Sequence, residues 1–120
     1  MLKFKLLVSA IMIIQSCTSL DYSAIEDSWS YDEFRKYALL RCTAKAFQNE
    51  TQFEIARQYY EKSESLLAVS RHPARIYYHL DQEAKNAADN LTIEQSGRFC
   101  MDWVLSKKFE FFVIQTLSSP

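Results

Sequence analysis

A single glycine, Gly97, and two prolines, Pro73 and Pro120, punctuate a chain of 120 residues. So little punctuation argues against most β architectures. Hairpin sheets turn tightly through Asn-Gly or Asp-Gly pairs that tolerate positive φ, and neither pair occurs here. What remains is a chain able to stay helical over long stretches, and the spacing of its apolar residues agrees.

Helix starts are marked by capping sequences. Ser30-Tyr31-Asp32-Glu33 has the spacing of a capping box, in which serine and glutamate each satisfy a backbone N–H left free by the first turn. It predicts a first helix to about Gln48, with Phe34, Tyr37, Ala38, Arg41/Cys42 and Lys45/Ala46 along one face. Thr51-Gln52-Phe53-Glu54 repeats the box. It opens a second helix toward Ser70 that carries Phe53, Ala56, Tyr59/Tyr60, Ser63, Leu66/Leu67 and Val69. Arg71-His72-Pro73 breaks this helix, and Pro73 suits the first position of the next. The third helix carries Ile76/Tyr77, Leu80, Ala84 and Ala87/Ala88, its alanines permitting close approach of a neighbour. Asp89-Asn90-Leu91-Thr92 reads as a turn. A fourth helix from about Glu94 or Ser96 carries Phe99, Cys100, Trp103 and Val104. Ser106 then caps a fifth helix holding Phe109, Phe112, Val113 and Thr116/Leu117. Residues 21–29 read as an irregular lead-in, and no internal repeat is visible. The expected fold is all-α, a compact bundle of about five short helices in one domain over residues 20–120.

Residues 1–19 read differently. Lys3 and Lys5 precede the stretch Leu6 to Ile14, apolar except for Ser9. That run is shorter than the roughly 20 apolar residues a bilayer span needs. Its layout is that of a signal peptide, the alternative being a buried N-terminal helix. The end of the signal has two readings. Ile14-Gln15-Ser16-Cys17 resembles a lipobox, which would lipidate Cys17 and tether the protein to a membrane. Cleavage near Ser19 would instead discard Cys17 and release a soluble periplasmic protein. Both leave Cys42 and Cys100 as the unmodified cysteines. In an oxidising compartment such a pair reads as an intrachain disulfide, the alternative being two buried free thiols. A bridge would close a loop of about 58 residues and contribute roughly 4 kcal/mol on the chain-entropy model.

Losing Lys3 and Lys5 from 14 basic residues, against 15 acidic ones, leaves a net charge of −3. With no basic run, the chain lacks the electrostatic footprint of a nucleic-acid binder. Its 48% hydrophobic content is ample for a globular core.

The catalytic inventory is thin, and the sequence implies no cofactor and no metal. The two histidines, His72 and His79, read as surface residues, His72 in the turn before Pro73. No Cys-x-x-Cys, His-Glu-x-x-His or Gly-x-Ser-x-Gly string is present. Cys42 or Cys100 beside a histidine would be the one nucleophile arrangement available, and it is the least supported reading. The carboxylate pairs Asp81/Glu83 and Glu61/Glu64 interleave with Lys62, Gln82 and Lys85, so a solvated helix face is expected. Asn49-Glu50-Thr51 and Asn90-Leu91-Thr92 match the glycosylation triplet, a weak signal that counts only in a eukaryotic secretory pathway.

The aromatic load is the suggestive feature. Trp29, Tyr31, Phe34, Tyr37, Tyr59, Tyr60, Tyr77, Tyr78, Trp103 and the Phe109–Phe112 cluster exceed what one small core needs. Neighbours such as Tyr59-Tyr60, Tyr77-Tyr78 and Phe111-Phe112 cannot both face inward on a helix. Either some of these rings belong to an interface, where aromatics supply much of the binding energy, or the tyrosines lie flat on the surface.

Tyr37-Ala38-Leu39-Leu40-Arg41-Cys42, then Cys100-Met101-Asp102-Trp103, then Ser106 before a closing helix, resembles the amidase immunity proteins of bacterial type VI secretion systems. The resemblance covers residues 31 to about 117. The Arg-Cys near the end of the first helix and the late Cys with its downstream Ser are its anchors. It implies a small all-helical periplasmic protein, commonly a homodimer, with Cys42 and Cys100 as a structural disulfide. It also implies a partner, a cognate peptidoglycan amidase of the cysteine–histidine type, neutralised by a loop inserted into its active-site cleft. That loop maps to Asp89–Ser96, with Asp89, Asn90, Glu94 and Gln95 as partner-binding residues. The lipobox is not a general feature of this family, and the tyrosines of the third helix are particular to this chain. The competing reading is a small structural or assembly lipoprotein of the envelope, tethered through Cys17. A helical carrier of an apolar ligand would need an enclosed pocket of several hundred cubic ångströms.

Overall fold

Twenty-two residues of unbroken helix form the axis on which the other elements assemble. The computed structural model describes residues 28–119, and the expected signal segment and Cys17 lie outside the described residues. Five helices follow in order: α1 (Ser28–Asn49), α2 (Phe53–Ala68), α3 (Ala74–Ala87), α4 (Ile93–Val104) and α5 (Lys107–Ser118). No strand occurs among the described residues. Helix α1 packs against α2, α3 and α4, while α5 closes the far side against α3 and α4.

The core follows the three-four spacing of α1. Phe34, Tyr37, Ala38 and Cys42 are buried together with Ile76, Tyr77, Leu80, Ala84 and Ala88 from α3 and its C-cap. Cys100, Trp103 and Val104 of α4 and Phe109 and Val113 of α5 complete the cluster. Ala84 and Ala88 are fully buried, as close helix approach requires. Ring contacts knit the end near α5: Trp103 and Phe109 meet edge to face at 5.1 Å, and Tyr31 lies 6.2 Å from Phe109. Cys42 and Cys100 form a disulfide that ties α1 to α4.

Helix α2 departs from the expected pattern. Only Ala56 and Ser63 of it are buried, while Phe53, Tyr60 and the following Val69 are exposed. It covers one face of α1 and leaves its own outer stripe in water.

The helix ends show which start signals were real. Helix α1 begins at Ser28, two residues ahead of the expected capping position Ser30, which also shortens the lead-in. Thr51 is no cap. The α2 N-cap is Gln52, with no side-chain cap hydrogen bond. Instead Thr51 takes a left-handed φ of 59° and helps finish α1. Gln52 N–H donates to the Phe47 carbonyl at 2.9 Å and Thr51 N–H to the Gln48 carbonyl at 3.0 Å. That pair of bonds is the Schellman pattern, with threonine where glycine usually stands. Pro73 is the N-cap of α3, one residue before the expected position. Thr92 and Gln95 make the reciprocal capping box that starts α4 at Ile93. Ser106 caps α5 as expected, its Oγ accepting from Phe109 N–H at 3.1 Å.

Candidate interaction surface

Two polar assemblies stand out, one inside the bundle and one at its edge. The inner one centres on Arg41, whose side chain is only 3% exposed. Its Nε donates to Ser63 Oγ at 2.7 Å and its Nη1 to Asp81 Oδ1 at 3.1 Å, while Nη2 pairs with Glu64. Lys85 Nζ reaches the second Asp81 oxygen at 3.0 Å. The guanidinium lies 3.5 Å from the Tyr60 ring centre and 5.0 Å from that of Tyr37. Every face of the buried cation is therefore engaged, and the group locks α1 to α2 and α3. Asp81 is thus not part of a solvated helix face as its sequence neighbours suggested; it is buried against Arg41.

Burial beside this cluster alters the tyrosines. Loss of water around Tyr37 pushes its phenol up to about 12, with Arg41 opposing the rise and Asp81 adding to it. Tyr77 is raised by burial first and by its hydrogen bond to Glu33 second. Its hydroxyl donates to Glu33 Oε1 at 2.6 Å and also meets Ser70. These groups hold helices together, and Tyr60 and Lys85 at their outer edge line a depression of about 270 Å³ with Phe53 and Arg57.

The edge assembly is the turn between α3 and α4. Asn49, the last residue of α1, donates from one amide nitrogen to the Ala88 carbonyl at 2.7 Å and to the Leu91 carbonyl at 3.0 Å. Glu50 accepts from Ile93 N–H. Behind the turn, the capping box locks Thr92 and Gln95, and the disulfide fixes Cys100 in the next turns of α4. The segment is short, exposed at its crest and held from three sides.

The expected partner-binding residues fall unevenly on this turn. Asp89, Asn90, Glu94 and Gln95 are all exposed. Glu94 and Gln95 line a shallow depression of about 400 Å³ with Leu91, Arg98, Phe99 and Asp102, whereas Asp89 and Asn90 do not. Gln95 is partly committed, since its Oε1 accepts from Thr92 N–H at 3.1 Å. Phe99, expected on the buried face of α4, is 41% exposed at the wall of this depression. Sequence reasoning missed Asn49 and Glu50 as the anchors. The only pattern they carried was a glycosylation triplet, and nothing local connects them with residues some 40 positions later.

Other candidates resolve plainly. His72 is half-buried with its ring 4.6 Å from that of Phe34, and so is less a surface residue than expected, while His79 is exposed beside Tyr78. The disulfide holds both described cysteine sulfurs in a bond. Among the described residues no group of three or more His, Cys, Asp or Glu side chains is placed to hold a metal ion. None of the described helices is long and apolar enough to cross a membrane. The adjacent aromatic pairs split as helical geometry demands: Tyr77 buried and Tyr78 exposed, Tyr59 stacked on Phe47 at 5.5 Å and Tyr60 over Arg41. No family model matches this chain, and neither a curated protein nor a solved structure shows significant similarity to it.

Proposed function

We propose that this is an exported binding protein, an immunity protein that neutralises a cognate type VI secretion peptidoglycan amidase in the periplasm by covering its active-site cleft. The turn between α3 and α4, pinned by Asn49 and Glu50, is the single observation that carries the reading. A loop inhibitor gains affinity when its loop is rigid before binding, because little conformational entropy is then lost in the complex. Here the turn, exposed at Asp89, Asn90, Thr92 and Glu94, sits on a scaffold cross-linked by Cys42–Cys100. The excess of acidic over basic side chains suits a basic, wall-binding enzyme.

The test is a titration of the purified protein against a peptidoglycan amidase encoded beside its gene. A stable complex with loss of peptidoglycan cleavage is expected. Full amidase activity at excess protein, with no complex on size exclusion, would sink the proposal and leave the envelope-lipoprotein reading.

A further inference from the structure

The Cys42–Cys100 bridge is placed where it bears on the turn between α3 and α4. Asn49 follows Cys42 by seven residues and Ile93 precedes Cys100 by seven, two helical turns in each case. Helices α1 and α4 run antiparallel here, so the four positions close a frame about 10 Å long on each helical side. One rung of the frame is the disulfide. The other is the pair of anchors, Asn49 donating to the Leu91 carbonyl and Glu50 accepting from Ile93 N–H.

The rungs are unequal. Glu50 meets Ile93 N–H at the surface, where a hydrogen bond competes with water and contributes little on balance. Between the rungs there is little else to hold α4. Of Ile93–Phe99 only Ser96 is buried, and its hydroxyl donates within its own helix to the Ile93 carbonyl at 2.7 Å. Ala46, on the same face of α1 as Cys42 and Asn49, is buried too but brings only a methyl group. Leu91 and Ile93 are half-buried. The large core side chains of α4, Trp103 and Val104, lie beyond Cys100. The first half of α4, and the turn ahead of it, thus depend on the bridge.

From this we infer that the disulfide is a redox latch on the turn: with Cys42 and Cys100 as thiols the turn is loose, and their oxidation sets it for binding. Closing the latch takes a disulfide-bearing oxidant. The thiolate of one cysteine attacks a sulfur of that disulfide and expels a thiolate. The thiolate of the second cysteine then breaks the mixed disulfide and releases the other. Two electrons pass to the oxidant, which leaves as two thiols carrying the protons that Cys42 and Cys100 gave up. Both residues are fully buried in the closed frame. The exchange therefore takes place while α4 is open, and the finished bond is out of reach of thiols until α4 opens again. A reducing cytosol keeps such thiols apart and an oxidising compartment joins them. The chain is unlatched where it is made and latched where it meets the amidase. For that partner the inference rests on the function proposed above.

The test compares the oxidised protein with protein reduced by dithiothreitol in urea and refolded under reductant, its thiols counted by alkylation and mass. In native buffer the oxidised form should lose its bridge to dithiothreitol at least about a hundredfold more slowly than in urea. In the reduced form the amides of Ile93–Phe99 should exchange at least about tenfold faster, while Tyr77 and Leu80 of α3 stay protected. The reduced form should bind the purified amidase at least about tenfold more weakly, having lost the rigidity of its turn. Equal exchange in the two forms overturns the inference. So does equal affinity, which leaves the proposed function standing. Loss of protection in α3 together with α4 overturns it as well, because the bridge would then staple the whole fold rather than the turn. Reduction as fast in native buffer as in urea removes the seal and overturns it too. No binding even by the oxidised form sinks the proposed function instead, while thiol accessibility and exchange still decide the latch.

Discussion

Arg41 and Asp81, 40 residues apart in sequence, meet at 3.1 Å inside the bundle. The contact decides how α2 and α3 are placed on α1, because the same guanidinium also reaches Ser63 and Glu64 of α2. Arg41→Ala should lower stability by about 3 kcal/mol, since a buried carboxylate loses its partner. The loss falls at the low end of the usual range because Lys85 still pairs with Asp81. Arg41→Lys should recover less than half, one ammonium being unable to serve three acceptors held in a fork. Urea unfolding followed by circular dichroism measures both; an Arg41→Lys midpoint equal to wild type would refute the account.

Tyr37 makes stability depend on alkaline pH. Its folded value is raised to about 12 by burial, against an ordinary value of about 10. A raised acid is held neutral in the fold while the unfolded chain ionises. Its contribution is therefore complete below about pH 10 and falls away as pH climbs toward 12, by roughly 3 kcal/mol in all. Tyr77 shifts in the same direction for the same first reason, burial. In Tyr37→Phe the decline between about pH 10 and 12 should be shallower than in the wild type. Parallel decline of the two proteins would show that Tyr37 ionises as freely folded as unfolded.

The helices were legible because their signals are local. Apolar spacing located Phe34, Tyr37, Ala38 and Cys42 on one face of α1, and Ile76, Tyr77, Leu80 and Ala84 on one face of α3. Ser106 was legible for the same reason, its partner Phe109 being three residues away. The capping boxes at Ser30 and Thr51 misled, because the residue pattern is met by chance and cannot report backbone angles. The site was legible only in outline. Composition and spacing mark 89–92 as a turn, yet its rigidity comes from Asn49 and Glu50, and its neighbour Phe99 is exposed through packing that no local pattern encodes. Asp81 was misread for a related reason. Beside Lys85 it looks like an ordinary surface pair, and only the fold brings Arg41 to it.

Both sulfurs of the Cys42–Cys100 bridge belong to fully buried residues, and the bond closes a separation of 58 residues. The chain-entropy model gives a contribution of roughly 4 kcal/mol for a loop of this length. The double variant Cys42→Ala/Cys100→Ala should therefore melt about 15 °C lower or more. Hydrogen exchange should quicken most in α4, which the bond fastens to α1. A variant melting within a few degrees of the wild type would mean that the helices are held by packing alone.

Thr51 carries a conformational cost that a single substitution can remove. A β-branched residue at φ 59° crowds its own backbone, yet the Schellman closure of α1 requires that conformation. Glycine adopts it freely, although it also gives the unfolded chain more freedom. Thr51→Gly should on balance raise stability by about 1 kcal/mol, because the strain of a non-glycine left-handed residue exceeds that entropy difference. The hydroxyl bond lost, from Thr51 Oγ1 to the Glu50 carbonyl, is exposed and contributes little. Thr51→Ala keeps the left-handed cost and should gain nothing comparable. Because Thr51 follows Asn49 and Glu50, a well-formed closure should leave both anchors in place and the exchange protection of Ile93 N–H unchanged. If Thr51→Gly and Thr51→Ala unfold at the same urea concentration, the left-handed turn is not a source of strain in this fold.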